Sequence, residues 1–186
     1  MNDLFTRLGE TVQYEGRMVR MSTLHYQSRE GETFDRDFVF HPGAVAVLPI
    51  LDDGSIVLVR QFRSALGRAT LELPAGVRDK DGESVAETAA RELAEETGYV
   101  ADSLVELVSI HTAPGFSNEQ VTIFVGTGLT MTSTDFDGIE EQHMSTVVVS
   151  PADFDELSDS GELTDAKTLL AVHMVRSSGA AGMRSS

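Results

Sequence analysis

Residues 76–99 read GVRDKDGESVAETAARELAEETGY, and this stretch decides how the rest of the chain is to be read. Ser84 and Glu87 form an S-x-x-E capping box that ties up orphan amide donors at a helix start. Val85, Ala86, Ala89, Ala90 and Leu93 then recur at helical spacing, and Gly98 supplies a left-handed stop. On the predicted helix Glu92, Glu95 and Glu96 put three carboxylates on about one turn. Glu92 and Glu96 stand at i,i+4, where like charges repel by roughly 0.2–0.5 kcal/mol. Glu95 and Glu96 also lie in the last turn, where the helix macrodipole disfavours anions by roughly 0.3–1 kcal/mol each. A row that opposes its own electrostatics calls for a cation. The apolar face turns inward, so the carboxylates are expected to project elsewhere. Arg91, four residues from both Glu87 and Glu95, can pair with either and hold the row. Upstream, Leu71-Glu72-Leu73-Pro74-Ala75-Gly76 reads as a short strand running into a turn, with Gly76 allowing close backbone approach.

The segment resembles the Nudix box, G, five residues, E, seven residues, then R-E-U-x-E-E-x-G-U, where U is a bulky apolar residue. Gly76, Glu83, Arg91, Glu92, Leu93, Glu95, Glu96, Gly98 and Tyr99 match its named positions. Six residues separate Gly76 from Glu83 where the box has five; the spacing from Glu83 to Arg91 is kept. The insertion therefore falls before the helix, and it bears on Glu83 and the loop path more than on the carboxylate face.

The chain has 186 residues, enough for one domain with a sizeable core. With 14 Lys+Arg against 30 Asp+Glu its formal charge is −16, which argues against a basic footprint for duplex nucleic acid. It has no cysteine, hence no disulfide and no thiolate metal site. The N-terminus, MNDLFTRLGE, lacks a hydrophobic signal region, and no apolar run approaches the roughly 20 residues of a membrane span, so the cytoplasm is the expected compartment. So acidic a chain repels anionic substrates at long range, and cations with local arginines must invert the field at a site.

Strand candidates run from Thr11 to Val19, Met21 to Gln27 and Thr33 to Phe40, with Arg29-Glu30-Gly31-Glu32 as a turn. Ala44 to Ile50 and Ser55 to Gln61 are expected to pair as a hairpin around Asp52-Asp53-Gly54. After the box helix come strands from Leu104 to Ile110, Val121 to Gly126 and Thr146 to Val149. Ser150-Pro151 reads as a helix start, and Thr164 as the cap of a second helix carrying Leu169, Leu170, Val172 and Val175. From Ser177 the chain, SSGAAGMRSS, lacks core-forming groups and is expected to be a disordered tail. The organisation expected is an N-terminal β extension over 1–43, a main domain over 44–176 and a tail over 177–186, in the α+β class. The resemblance implies a Nudix fold, an α/β/α sandwich with a mixed β-sheet core flanked by helices, here with an N-terminal antiparallel β-sheet.

Features outside the box resemble the ADP-ribose pyrophosphatase branch. Val59-Arg60-Gln61-Phe62-Arg63 followed by the ELPAG stretch is similar to its V-R-Q-[FY]-R…E-L-P-A-G pattern, and Pro114 stands 15 residues after Tyr99 within Ala113-Pro114-Gly115-Phe116-Ser117. In that branch the N-terminal sheet is exchanged or shared across a homodimer, and Arg36 resembles an arginine that helps hold the adenosine part. The resemblance implies Mg²⁺ or Mn²⁺ ligation by Glu92, Glu96 and the Ala75 carbonyl, with Glu95 sharing another ion or its water and Arg91 ordering the row. Substrate contacts are expected from Arg36, Arg60, Arg63 and Gly115. Arg60 and Arg63 point to opposite faces of a regular strand, so both reach one substrate only if the strand ends or bulges near Gln61. Members of that branch supply the general base as a glutamate from a late loop; the resemblance implies that it lies in Asp137-Gly138-Ile139-Glu140-Glu141-Gln142, with Glu140 preferred over Glu141 by its offset from Met144.

Hard oxygen donors favour Mg²⁺ or Mn²⁺ over zinc, and the five histidines are too scattered for a zinc motif. The implied reaction is water attack on the pyrophosphate of ADP-ribose, giving AMP and ribose 5-phosphate. Two alternatives stand beside it: the same chemistry on another nucleoside diphosphate sugar such as GDP-mannose, and a non-catalytic nucleotide-sensing module.

Overall fold

The computed structural model describes residues 4–132 and 143–179. Glu140 and Glu141 lie outside the described residues, as do residues 180–186 of the expected tail. The chain divides into two compact units, Met1–Ala44 with Ser109–Val121, and Val45–Val108 with Thr122–Ser186.

In the first unit β1 (Phe5–Glu15), β2 (Arg20–Ser28) and β3 (Thr33–Phe40) form an antiparallel sheet in that order. The segment after His111 seats on the free edge of β3: Val39 N–H donates to the Phe116 carbonyl at 2.7 Å, and Val39 bridges Ser117 in parallel. Asn118 extends this pairing with its side chain, accepting from His41 N–H at 2.9 Å and donating to the His41 carbonyl at 3.2 Å.

The second unit is built on two sheets. One has the order β10 (Ser145–Val149), β5 (Ile56–Arg63), β6 (Arg68–Glu72) and is antiparallel throughout; the other runs β7 (Ala75–Val77), β4 (Ala44–Pro49), β9 (Gln120–Met131), β8 (Tyr99–His111). Val45, Ala46, Val47 and Leu48 are all fully buried, as Ile56, Val57, Leu58 and Val59 nearly are, so β4 and the first half of β5 are covered on both faces. Helix α1 (Val85–Thr97) sets Ala89 and Leu93 against Val45, Val47 and Phe124. Helices α2 (Pro151–Asp159) and α3 (Ala166–Ser178) are tied by Arg176, which donates to the Pro151 carbonyl at 3.0 Å and pairs with Asp155.

The expected hairpin between β4 and β5 does not form. The two strands meet only at the isolated bridge Ile50↔Ile56 and then enter different sheets. A strand has two edges, and those of β4 are taken by β7 and β9, those of β5 by β10 and β6. The cap of α3 is Asp165, one residue beyond Thr164: its carboxylate accepts from Thr168 N–H at 3.0 Å, while the Thr164 hydroxyl accepts from Arg68. Helix α3 continues to Ser178, so Ser177 and Ser178, assigned above to the tail, are helical.

Candidate active site

Helix α1 starts and stops as its sequence requires. Ser84 and Glu87 close a reciprocal capping box, and Gly98 takes φ 72° with its N–H donated to the Ala94 carbonyl. The capping box commits Glu87, which leaves Arg91 to the acidic row. Arg91 forks Glu83 through Nε at 3.0 Å and Nη2 at 3.1 Å, and its Nη1 reaches Glu92 at 2.6 Å and Glu95 at 2.8 Å. One guanidinium is thus shared by three carboxylates, which raises its pKa. Glu83, placed at the insertion, is held by the fork, which keeps its carboxyl below the usual range.

The carboxylates do not all project away from the core. Glu96 is 6% exposed and lies in the buried stripe with Thr88, Ala89 and Leu93. It accepts from Ala75 N–H at 2.9 Å, which pins the row to the turn after β6. Glu92 lies directly over Gly76: a Cβ built on Gly76 would stand 1.9 Å from the Glu92 carboxyl carbon and 2.2 Å from both oxygens. Glycine is required there by close approach of a carboxylate, a tighter demand than the backbone approach its position suggests. Burial pushes the Glu92 carboxyl up, and Arg91, shared with two other acids, does not bring it back.

Among the described residues no three acidic or histidine side chains are gathered as a ready metal cage. The donor chemistry nonetheless fits a hard divalent ion. Three carboxylates around Arg91 leave negative charge in excess even with Lys80 3.9 Å from Glu95, and Glu92 pays desolvation with no cation of its own. Glu92 and Glu96, both set against the Ala75-Gly76 turn, could hold such an ion from one side.

A second charged cluster centres on Glu72, 4% exposed on the last residue of β6. Arg63 forks its carboxylate through Nε at 2.8 Å and Nη2 at 2.7 Å, Lys167 Nζ donates at 2.5 Å, and the Thr70 hydroxyl adds a further bond. Burial pushes the Glu72 carboxyl up, but these donors outweigh it and hold it at about 2. The β5–β6 register runs without a shift from Val59↔Glu72 to Arg63↔Arg68. There is no bulge at Gln61, so Arg63 shares the Glu72 face while exposed Arg60, opposite Leu71, points to the other. Of the two expected arginines, only Arg63 is brought to this cluster, and Glu96 contributes to the field that raises its pKa after Glu72 itself.

Arg36 and Gly115 are brought together in the first unit. They line a cavity of about 530 Å³ with Phe34, Phe38, Pro114 and Phe116. The Arg36 guanidinium lies 4.6 Å from the Phe34 ring centre, and Tyr26 stacks on the same ring at 5.5 Å. Aromatic faces beside a guanidinium suit a planar, polar ligand such as a base.

Sequence reading gave no site role to Glu72, Lys167 or Asn118. Glu72 carried a signal: an acid alternating with Leu71 and Leu73 in a strand whose two faces are both buried must find buried cations.

The fold and the site define a strand–turn–helix protein with a carboxylate row suited to a divalent cation. The NUDIX domain model matches residues 40–172, and the chain belongs to that family. An ADP-ribose pyrophosphatase of Bacillus subtilis is 36% identical over 163 residues, 88% of each chain. A methanol dehydrogenase activator of Bacillus methanolicus is 33% identical over 163 residues, again 88% of each. Among solved structures, an ADP compounds hydrolase superposes with a TM-score of 0.82 at 26% identity, covering 94% of each chain.

Proposed function

We propose that this Nudix protein hydrolyses the pyrophosphate bond of ADP-ribose to AMP and ribose 5-phosphate, with Mg²⁺ or Mn²⁺ as its metal. The observation that carries the reading is the pair Glu92 and Glu96, desolvated against the Ala75-Gly76 turn. The name of the Bacillus subtilis relative supports the choice of ADP-ribose. When bound, the ion supplies charge neutralisation at the phosphoryl oxygens and a lowered pKa for the attacking water.

The ligands assigned are Glu92, Glu96 and the Ala75 carbonyl, with Glu95 turned to a further ion or its water. Arg91 keeps Glu92 and Glu95 oriented through Nη1. Arg63, already fixed by Glu72 with its side chain 39% exposed, is assigned to the anionic oxygens of the bridge, and Arg60 to a lesser contact. In the first unit, the Arg36, Phe34 and Gly115 cavity is assigned to the adenosine part. Glu140, preferred over Glu141, is the proposed general base that takes the proton of the attacking water.

The working form proposed is a homodimer. Exposed Leu4, Phe5, Leu8, Val12, Tyr14 and Met21 on the N-terminal sheet and its approach support an association face there. Sedimentation tests it, and a monomer at micromolar concentration would remove it. The cytoplasm is the compartment proposed, which cell fractionation tests.

Incubation with Mg²⁺ and a panel of nucleoside diphosphate derivatives ranks the substrates. ADP-ribose is expected to have the highest kcat/KM; a preference for GDP-mannose would redirect the reading, and turnover of none would favour the sensing module.

A further inference from the structure

Glu72 is neutralised by the Arg63 fork, yet a second cation stands on the same carboxylate. Lys167, 13% exposed in the first turn of α3, donates to Glu72 Oε2 at 2.5 Å and to Asp165 Oδ1 at 2.9 Å. The other oxygen of Asp165 caps α3, accepting from the Thr168 N–H at 3.0 Å and from its hydroxyl. Charges therefore alternate from the positive end of α3 through Asp165, Lys167 and Glu72 to Arg63. Each anion in the row is divided between two positive groups.

That division sets what Arg63 can do. A carboxylate devoted to Arg63 would hold the guanidinium and also cancel its field. A carboxylate shared with Lys167 keeps the fork, with Nε and Nη2 at 2.8 and 2.7 Å, while half its charge answers another cation. Nη1 takes no part in the fork. We propose that Lys167 is a positioning residue for anion binding: by sharing Glu72 it leaves Arg63 fixed in direction yet electropositive toward a phosphate of a nucleoside diphosphate. The inference rests on the assignment of Arg63 to the substrate bridge. Lys167 itself, partly buried and bonded to Glu72 and Asp165, acts through Glu72.

The test is ADP-ribose affinity measured by calorimetry in EDTA, together with KM and kcat in Mg²⁺, for Arg63→Ala, Lys167→Met, Lys167→Arg and the Arg63→Ala/Lys167→Met double variant. Lys167→Met is expected to raise Kd and KM about tenfold with kcat within about threefold of the parent, Lys167→Arg to restore most of the loss, and the double variant to bind no more weakly than Arg63→Ala. Full additivity in the double variant, or Lys167→Arg as weak as Lys167→Met, would overturn the proposal. If Arg63→Ala weakens binding and Lys167→Met does not, the positioning role alone fails; if Arg63→Ala leaves Kd unchanged, the assignment of Arg63 fails as well. Should Lys167→Met not fold, Lys167→Gln carries the same comparison.

Discussion

Glu72 and Glu92 are both glutamates taken out of water, and they come to rest on opposite sides of the usual carboxylate range. In each, burial is the largest influence and pushes the carboxyl up. At Glu72 a dedicated guanidinium fork, an ammonium and a hydroxyl overcome it. At Glu92 the one guanidinium is shared with Glu83 and Glu95, and the charges of Glu95 and Asp79 add to the burial. The difference separates a carboxylate answered by cations of its own from one left with a share of a single guanidinium. Glu72 ties β5, β6 and α3 together, whereas Glu92 is desolvated over Gly76 with only a shared guanidinium to answer it.

Removing the unfinished carboxylate should have the largest effect on activity. Glu92→Gln is expected to lower kcat/KM for ADP-ribose by about a thousandfold, the scale of losing a metal's charge stabilisation. Mg²⁺ should raise the Tm of the parent and not of Glu92→Gln, a readout independent of turnover. Near-parental activity in the variant would break the contrast at its root.

Removing the completed carboxylate should act on stability. Its carboxyl falls from 4.5 to about 2 on folding, which at about 1.4 kcal/mol per pH unit makes about 3 kcal/mol. Because the folded value is the lower, this stabilisation is full above pH 4.5 and lost as pH falls toward 2. Glu72→Gln should therefore lose about 3 kcal/mol at neutral pH, since it leaves Arg63 and Lys167 facing an amide, and its Tm should depend less on pH between 4.5 and 2. Parallel Tm profiles for the two proteins would show that Glu72 is not the group responsible.

Gly76→Ala tests the closeness on which the Glu92 side depends. A methyl 1.9 Å from the Glu92 carboxyl carbon forces that side chain aside while leaving the Arg63–Glu72 fork in place. We expect about a thirtyfold loss of kcat/KM, with Mg²⁺-induced stabilisation weakened in proportion. Unchanged Mg²⁺ stabilisation would mean that the carboxylate reaches its ligand from another position.

What the sequence displayed of this contrast was its local half. The capping box, the Gly98 stop and the spacing of Glu92, Glu95 and Glu96 are relations within one helix, and all are found where the sequence puts them. The face of Arg63 also followed from alternation along β5. Two misreadings were near misses of local rules. Thr164 and Asp165 can both cap, and the backbone chose the second; Glu96 belongs to the acidic row and also to the buried stripe, because α1 is covered over Ala75 as well as over Val45 and Val47. The Glu72–Lys167 pair spans 95 positions, and the parting of β4 from β5 depends on which distant strands claim their edges. Neither is written in any short window of sequence. Glu140 and Glu141 stand outside the described residues, so the base remains an assignment from sequence resemblance.

The smallest effect is the one whose sign discriminates most sharply. Glu92 has a folded pKa above its ordinary value, so the folded state binds its proton more tightly than the unfolded chain does. In the absence of metal its ionisation therefore weakens the fold as pH rises through the ordinary carboxylate range, the reverse of Glu72. Glu92→Gln, inactive by the first prediction, should melt a few degrees above the parent in EDTA at pH 7, and the gap should close as pH is lowered and the parent's Glu92 takes up its proton. Arg91 keeps Glu83 and Glu95 in the variant, so the lost bond does not leave a buried cation unanswered. A lower Tm in EDTA would mean that the Glu92 charge is already matched within the chain, and the distinction between the two glutamates would then be one of position alone.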